Sequence, residues 1–260
     1  MPTPIDRRRF LSLSAASVGL AAYAAASEPT EAADGKVMPQ AARARAGARV
    51  ILFQGDSVTD VRRDRERAEP NDPQALGGGY PALAAAELLS GAPEAGWRCY
   101  NRGVSGHKVF QLLERWQADC LDLEPEVLSI LIGVNDFWHT LSSGYEGTVE
   151  VYERDYRALV ARTREALPDV GIIIGEPFAV TGGSALGEAW YPAFADYQAA
   201  TRRVADDHGA AWVPYQSIFD EALTRASVDY WCADGVHPSL AGHALMAEAW
   251  LDAFRTLASA

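Results

Sequence analysis

Short apolar runs alternate with longer amphipathic stretches along most of the chain. Residues 49–54 form an apolar run rich in β-branched side chains that stops at Gly55, which is typical of a buried strand. The same reasoning predicts further strands at 97–101, 127–132, 170–175 and 211–214, and helices near 80–90, 107–121, 148–167, 190–208 and 239–257. Because strands that alternate with helices favour βαβ units, we predict an α/β fold whose parallel sheet is covered by helices on both faces.

The first 46 residues do not follow this alternation. Residues 7–11 read Arg-Arg-Arg-Phe-Leu and precede a weakly hydrophobic stretch, too poor in strongly apolar residues to provide the roughly 20 that span a bilayer. This segment resembles a twin-arginine export signal with a cleavage site before Ser27, while an ordinary amphipathic helix and an uncleaved anchor stay open. We predict an export signal at 1–26, a linker at 27–46, one domain at 47–260, and a periplasmic or extracellular location.

The composition is that of an ordinary globular protein. The chain has 260 residues, of which 48% are hydrophobic and 22% are charged, which excludes a disordered or fibrous chain. It carries 23 Lys and Arg residues against 35 Asp and Glu residues, so that nucleic acid and anionic membrane are poor partners. Cys99, Cys120 and Cys232 are too few for a disulfide scaffold and lack metal-binding spacing. One disulfide among the three stays open in an oxidising compartment, but we expect free thiols, because twin-arginine cargo folds in the reducing cytoplasm.

A polar, glycine-bearing segment follows each of the first three predicted strands, and a fourth precedes the last helix. The four are 55–60 (GDSVTD), 101–106 (NRGVSG), 133–136 (GVND) and 234–238 (DGVHP). The carboxyl ends of parallel strands meet at one edge of a sheet, where α/β proteins bind their ligands. We therefore expect the four segments to converge on one site.

Together these segments contain the groups that acyl transfer requires. Ser57 is a weak nucleophile unless a base takes its proton, and His237 is the candidate base. Asp234 lies three residues earlier, so that on one turn its carboxylate can orient the imidazole. The attacked carbonyl develops negative charge, which the Ser57 N–H, a glycine N–H and the Asn135 amide can stabilise. Each motif alone is more often structural, so the prediction depends on all four occurring in order.

On these residues the sequence resembles the GDSL esterases, also called SGNH hydrolases, over nearly all of residues 49–250. The first block reads Gly55-Asp56-Ser57-Val58, with valine in place of the family's leucine. The resemblance implies that residues 47–260 form a single-domain, three-layer α/β/α sandwich with a central parallel sheet of about five strands, as in flavodoxin-like proteins.

The resemblance also implies roles for individual residues. The implied catalytic residues are Ser57, Asp234 and His237, and the implied oxyanion-hole donors are Ser57, Gly106 and Asn135. Gly103 is an alternative to Gly106 if the second block is aligned differently. Neither a cofactor nor a metal is implied.

Within the family, several stretches are most similar to the bacterial acetylxylan-esterase-like branch, which removes acetyl groups from plant polysaccharide fragments. Among them are 79–83 (GYPAL), 132–138 (IGVNDFW) and 234–243 (DGVHPSLAGH). We therefore predict a serine esterase that removes short acyl groups, above all acetyl, from carbohydrate. A lysophospholipase or broad lipase-type esterase of the same superfamily is one alternative. A non-catalytic carbohydrate-binding protein on a hydrolase fold is the alternative from another class.

Residues beside the blocks are candidates for substrate contact. They are His107, Lys108, Trp138 and Trp231. The charged stretch 60–64 is interpreted as a solvated loop at the rim, and His139, His208 and His243 as surface or helix-capping histidines. The expected partner is a small acylated substrate, an acetylated saccharide, without nucleic acid and without stable membrane insertion after signal cleavage. The resembling branch tends to assemble, which leaves a homo-oligomer open.

Overall fold

Five parallel strands form the central sheet of the part of the chain that the structure describes. The computed structural model describes residues 49–258, so the predicted export signal and linker lie outside the described residues. The strands are β1 (Arg49–Gly55), β2 (Trp97–Asn101), β3 (Val127–Leu131), β4 (Gly171–Gly175) and β5 (Ala211–Val213). Their order in the sheet is β2-β1-β3-β4-β5, and all neighbouring pairs are parallel. The predicted parallel α/β sheet is confirmed, with each strand end within one residue of its prediction.

Helices connect successive strands. In chain order they are α1 (Ser57–Asp60), α2 (Pro73–Leu76), α3 (Tyr80–Gly91), α4 (Val109–Asp119), α5 (Val134–Ser142), α6 (Val149–Ala166), α7 (Ala193–Asp207), α8 (Tyr215–Ala222), α9 (Val228–Trp231) and α10 (Leu240–Ala258). The sequence pattern predicts α3, α4, α6, α7 and α10. It misses the five shorter helices, because they contain too few turns to establish a helical period. In the part of the chain described, no helix is long and apolar enough to cross a membrane.

Side chains of the sheet alternate between two apolar layers, because successive residues of a strand point to opposite faces. On one face, Leu128 and Ile130 pack in a cluster that includes residues of α4, α6 and α7. On the other face, Ile51 and Phe53 pack in a second cluster with residues of α3, α8 and α10. The four side chains just named are completely buried. The fold is therefore the predicted three-layer α/β/α sandwich.

The strand order reverses between β1 and β3, which are neighbours in the sheet. From β1 the chain passes outward to β2 and then returns to the opposite side of β1 as β3. Such a reversal leaves a crevice beyond the carboxyl ends of the two strands. Ser57 begins the helix after β1, and Asn135 lies in the first turn of the helix after β3. The topology therefore brings these two residues to the same crevice.

The three cysteines lie in the apolar core. Cys99, Cys120 and Cys232 are all buried and unpaired, as expected. Burial raises the pKa of the Cys99 and Cys232 thiols to about 12, which keeps both protonated at neutral pH.

Candidate active site

Ser57 occupies the first position of α1, just beyond the end of β1. Asp56 caps this helix, and its carboxylate accepts a hydrogen bond from the Val58 N–H at 3.0 Å. The Oγ of Ser57 lies 2.8 Å from Nε2 of His237, and Nδ1 of that ring lies 2.6 Å from Oδ2 of Asp234. Three predicted site residues from opposite ends of the domain thus form one hydrogen-bonded chain.

The Asp234 carboxylate is held in its ionised form. Its second oxygen accepts hydrogen bonds from the N–H groups of Val236 and His237, at 2.9 and 2.7 Å. Burial favours the neutral acid, but the hydrogen bonds from the His237 backbone and ring outweigh it and hold the pKa of Asp234 below its ordinary value. At neutral pH an anion therefore faces Nδ1 of His237, which favours a proton on that nitrogen and leaves Nε2 to accept from Ser57.

Each predicted oxyanion donor has an N–H hydrogen that no acceptor among residues 49–258 uses. The first N–H groups of a helix have no intrahelical partner, and that of Ser57 donates to no acceptor among residues 49–258. The Gly106 N–H is likewise unused within that range. The Asn135 amide donates one hydrogen to the His107 carbonyl at 3.2 Å, which leaves its second hydrogen for a ligand. The same bond ties Asn135 to the loop that carries Gly106.

The two candidate glycines of the second block differ in structure. The Gly103 N–H already donates to the Asn101 side chain at 2.9 Å. A Cβ on Gly103 would also lie 2.7 Å from the backbone nitrogen of Asp60, so close packing requires glycine there. Gly106 has a φ of 80°, and a Cβ there would come no closer than 4.0 Å to His139 Cε1, so its backbone conformation favours glycine instead. These contacts favour Gly106 over Gly103 as a donor.

Two carboxyl groups of the motifs, Asp56 and Asp136, are almost completely buried. Burial raises the pKa of each to about 7, although hydrogen bonds from the backbone N–H groups of Val58 and Val109 oppose the shift. Asp136 lies within 3.1 and 3.3 Å of the Val109 nitrogen through its two oxygens, and so holds the start of α4 beside Asn135. Residues 49–258 contain no group of three or more His, Cys, Asp or Glu placed to hold a metal ion.

Asp60 and Arg63 do not lie in a solvated loop, so that interpretation of the sequence is wrong at these positions. Their side chains are only 6% and 4% exposed, and they form an ion pair at 3.4 Å. Asp60 also accepts hydrogen bonds from the N–H and hydroxyl of Ser105, at 2.9 and 2.5 Å. Arg63 donates to the Gly103 carbonyl at 2.9 Å. Both residues therefore hold the loop of the second block, a role that the sequence pattern does not indicate.

A second loop supports the segment of Asp234 and His237 through backbone contacts. The N–H groups of Val180, Ser184 and Ala185 donate to the carbonyls of Gly235, Ala233 and Asp234 at 2.7, 3.0 and 3.0 Å. A Cβ on Gly183 would lie 2.3 Å from Cα of Gly235, so only glycine allows this approach. The position of Asp234 therefore depends on a segment outside the four sequence blocks.

The two tryptophans predicted to contact substrate lie in different environments. Trp138 is half-buried, with its ring centroid 6.2 Å from that of His237. The Trp231 ring belongs to the apolar core, is 8% exposed, and donates its N–H to the Ala222 carbonyl at 2.9 Å. Only Trp138 therefore presents a ring beside the Ser57–His237 pair, and we leave Trp231 out of the proposed site.

His107 and Lys108 follow Gly106, and their side chains lie in different environments. The His107 ring has a buried Nδ1 without a hydrogen-bond partner in the described chain. Lys108 is 9% exposed, and its Nζ lies 2.9 Å from Nδ1 of His139. The sequence interpretation treats His139 as a surface or capping residue, yet the structure places it next to Gly106. If the sequence pattern had predicted α5, the spacing of four residues between Asn135 and His139 would have placed both side chains on the same side of that helix.

The family of the chain follows from comparison with known proteins. Residues 53–245, which include all four polar segments, match the model of the GDSL-like lipase/acylhydrolase family. The chain belongs to this family, whose members are also called SGNH hydrolases, and it is a carboxylic ester hydrolase. The resemblance inferred from the four blocks is thereby confirmed.

Among its relatives is an acetylxylan esterase of Geobacillus stearothermophilus, 34% identical over 205 residues, which are 77% of this chain and 91% of the relative. A solved structure of an acetylxylan esterase from that organism is 32% identical, with a TM-score of 0.71, and the match covers 80% of this chain and 94% of that one. The structure of a proposed GDSL-like lipase from Parabacteroides merdae is 49% identical, with a TM-score of 0.78, over 79% of this chain and 94% of that one.

Proposed function

We propose that this esterase removes acetyl groups from carbohydrate through an acyl-enzyme formed on Ser57. The observation that carries the proposal is the hydrogen-bonded chain from Ser57 Oγ through the His237 ring to Asp234, with distances of 2.8 and 2.6 Å. A serine hydroxyl bonded to an imidazole that is oriented by a carboxylate is the arrangement that serine hydrolases use. The alternative of a non-catalytic binding protein does not fit a carboxylic ester hydrolase.

In the acylation step, Ser57 Oγ attacks the ester carbonyl while Nε2 of His237 takes the hydroxyl proton. Asp234 stabilises the imidazolium that forms. The carbonyl oxygen becomes an oxyanion, which the N–H groups of Ser57 and Gly106 and the Asn135 amide bind. When the tetrahedral intermediate collapses, His237 gives its proton to the leaving alcohol, and the acetyl group stays on Ser57.

Deacylation repeats these steps with water as the nucleophile. His237 takes a proton from the water as the water attacks the acetyl carbonyl, and the same donors bind the second oxyanion. Collapse returns the proton to Ser57 Oγ and releases acetate. The cycle ends with the starting protonation states, so that it consumes one ester and one water and yields one alcohol and one acid.

The preference for acetylated sugar rests on the relatives and on one aromatic ring. The acetylxylan esterase that matches this chain has the same fold over most of its length. Trp138 lies beside His237, where an aromatic face can pack on a sugar ring. An acetylated xylo-oligosaccharide is therefore the substrate class that we propose.

Replacing the nucleophile tests the mechanism. Ser57→Ala should lower kcat by about 10⁴-fold or more and should form no covalent adduct with an organophosphonate, as read by intact mass. Ser90→Ala is the matched control, since its exposed hydroxyl only bonds the Glu87 carbonyl within α3. A folded Ser57→Ala variant with wild-type turnover would refute the mechanism.

The substrate class is tested by a panel of esters that differ in acyl length, followed by acetylated xylan. We expect acetyl esters to give the highest kcat/KM and acetylated xylan to release acetate. A preference for long acyl chains would instead support the lipase-type alternative and contradict our proposal.

We also propose that residues 1–26 direct export through the twin-arginine pathway. The motif at residues 7–11 supports this. Replacing Arg7, Arg8 and Arg9 with lysine should keep the enzyme in the cytoplasm when cell fractions are assayed. Unchanged export of that variant would contradict the proposal.

A further inference from the structure

One side of α5 faces the catalytic groups. Asn135, Trp138 and His139 have the i, i+3, i+4 spacing that places side chains on the same side of a helix. Asn135 is a proposed oxyanion donor, and the Trp138 ring lies 6.2 Å from the ring of His237. The atom of His139 nearest to a Cβ placed on Gly106 is Cε1, at 4.0 Å. His139 therefore lies at the site, beside the glycine donor.

The Lys108 ammonium determines which nitrogen of His139 carries the proton. Nζ of Lys108 lies 2.9 Å from Nδ1 of His139. An ammonium has donors only, so Nδ1 must accept this hydrogen bond and the ring proton must be on Nε2. The ammonium also lies 4.9 Å from the ring centroid of Tyr145 and 5.7 Å from that of Phe110, and cation–π attraction to these rings holds it in place.

His139 is neutral and has a hydrogen to donate. Burial, and then the nearby charge of Lys108, lower the pKa of His139 below its ordinary value, so that the ring is uncharged at neutral pH. Its Nε2–H makes no hydrogen bond to any other residue in the range 49–258. In the proposed mechanism the carbonyl oxygen accepts hydrogen bonds from Ser57, Gly106 and Asn135. The His139 Nε2–H is therefore available to an oxygen elsewhere in the ester.

We propose that His139 is a specificity-determining residue, whose Nε2–H donates a hydrogen bond to an oxygen on the alcohol part of the ester, such as a sugar ring oxygen or hydroxyl. Lys108 is the positioning residue that fixes the donor tautomer. The inference rests on the proposed function and adds a reason for its preference for sugar esters. If the alcohol part of the ester has no oxygen besides the ester oxygen, the His139 Nε2–H is left without a hydrogen-bond acceptor.

The test compares two acetyl esters that differ in the alcohol. We would measure kcat/KM for xylopyranose tetraacetate and for phenyl acetate, and take the ratio of the two. His139→Phe should lower that ratio about 3- to 10-fold, the effect of one neutral hydrogen bond. His139→Gln should restore most of it, because an amide can accept from Lys108 with its oxygen and donate with its nitrogen. His208→Phe, at the end of α7, is the matched control and should leave the ratio unchanged.

The outcomes separate this inference from the proposed function. If the wild type hydrolyses both esters and His139→Phe leaves the ratio unchanged, the inference is overturned and the proposed function stands. An equal loss with both esters would assign His139 to the carbonyl and would also overturn it. A wild type that hydrolyses phenyl acetate but not xylopyranose tetraacetate would refute the carbohydrate substrate itself.

The tautomer can be observed without turnover. In protein labelled with ¹⁵N-histidine, the imidazole signals that disappear in His139→Gln belong to His139. We expect a protonated Nε2 and an unprotonated Nδ1 in the wild type, and in Lys108→Met a shift of the signals towards the other tautomer. A wild-type His139 protonated on Nδ1, or signals unmoved in Lys108→Met, would overturn the role of Lys108.

Discussion

After the proposed roles of their residues, we call residues 55–60 with 101–106 the nucleophile region and residues 234–238 the acid–base loop. The two are held in place by different means. Counted over the whole residue, Asp56, Asp60 and Asn101 of the nucleophile region are each 4% exposed or less. The side-chain amide of Asn101 donates hydrogen bonds to the carbonyls of both Thr59 and Leu76, at 2.7 and 2.9 Å. In the acid–base loop, the side chains of His237 and Asp234 are 44% and 34% exposed.

This difference has an energetic consequence. Removing one partner from a buried polar network leaves another group without water or a hydrogen bond, and the whole fold loses stability. A loop held by backbone hydrogen bonds to a second surface loop can instead shift while the core stays folded. We therefore expect changes in the nucleophile region to lower stability, unless they touch only a ligand-facing group, and changes around the acid–base loop to lower activity first.

Asn135 borders the nucleophile region, and its replacement should have the largest effect among the variants that test this comparison. Asn135→Ala removes one of the proposed oxyanion donors and should lower kcat by about 10²–10³-fold, or roughly 3–4 kcal/mol, with a much smaller change in KM. If Asn135 only stabilised the start of α5, the variant would lose about 1 kcal/mol of stability and keep its kcat. Measuring Tm and kcat on the same variant decides between the two.

Asp60→Ala tests the buried network. It leaves the guanidinium of Arg63, only 4% exposed, without its carboxylate, and should lower the free energy of unfolding by about 3 kcal/mol. Asp64→Ala is the matched control, because that side chain is 47% exposed and should change stability by less than about 0.5 kcal/mol. Equal unfolding free energies for the two variants in urea titrations would show that the nucleophile region does not depend on this network.

Gly183→Ala tests the support of the acid–base loop. Its Cβ would come within 2.3 Å of Cα of Gly235 and displace Asp234 and His237. We expect kcat/KM to fall by about 10²-fold, because displacements of about 1 Å in a catalytic constellation have effects of that size. Gly187→Ala lies in the same loop with nothing within 4 Å of its Cβ, and should behave as wild type. A global loss of Tm in Gly183→Ala without a kinetic defect would reverse our comparison.

The smallest expected effect is on the pH dependence of stability. His243 is 2% exposed, and its Nδ1 accepts a hydrogen bond from the Tyr80 N–H, so it caps α3 as the sequence interpretation allowed. Burial lowers the pKa of His243 from 6.5 to about 4. Between these values the unfolded chain binds more protons than the folded chain, so this contribution is complete above pH 6.5 and is lost as the pH falls towards 4.

We expect this histidine to account for about 1–2 kcal/mol of lost stability between pH 7 and pH 5. His243→Asn keeps an acceptor for Tyr80 but cannot titrate, so its unfolding free energy should vary less over that range. Urea unfolding at the two pH values would measure the difference. An identical pH slope in the variant and the wild type would contradict the assignment.

Local sequence patterns were enough to predict the sheet, the longer helices and the order of the four polar segments. Buried strands such as 127–131 are read directly from continuous hydrophobicity, and parallel strands bring the segments after them to one edge. Ser57, Asp234 and His237 could be named because each is part of a motif that follows a strand or precedes a helix. Their roles stay predictions that the proposed variants test.

Which polar groups are buried, and what they contact, could be seen only in the folded protein. Asp60 meets Ser105, Gly183 meets Gly235, and Lys108 meets His139 across gaps of 31 to 52 residues, so no local pattern connects them. Trp231 and Trp138 both flank a block, yet one ring packs in the core and the other lies beside His237. A side chain's role depends on what surrounds it after folding, and hydrophobic periodicity reports which face of an element is buried but not what packs against it.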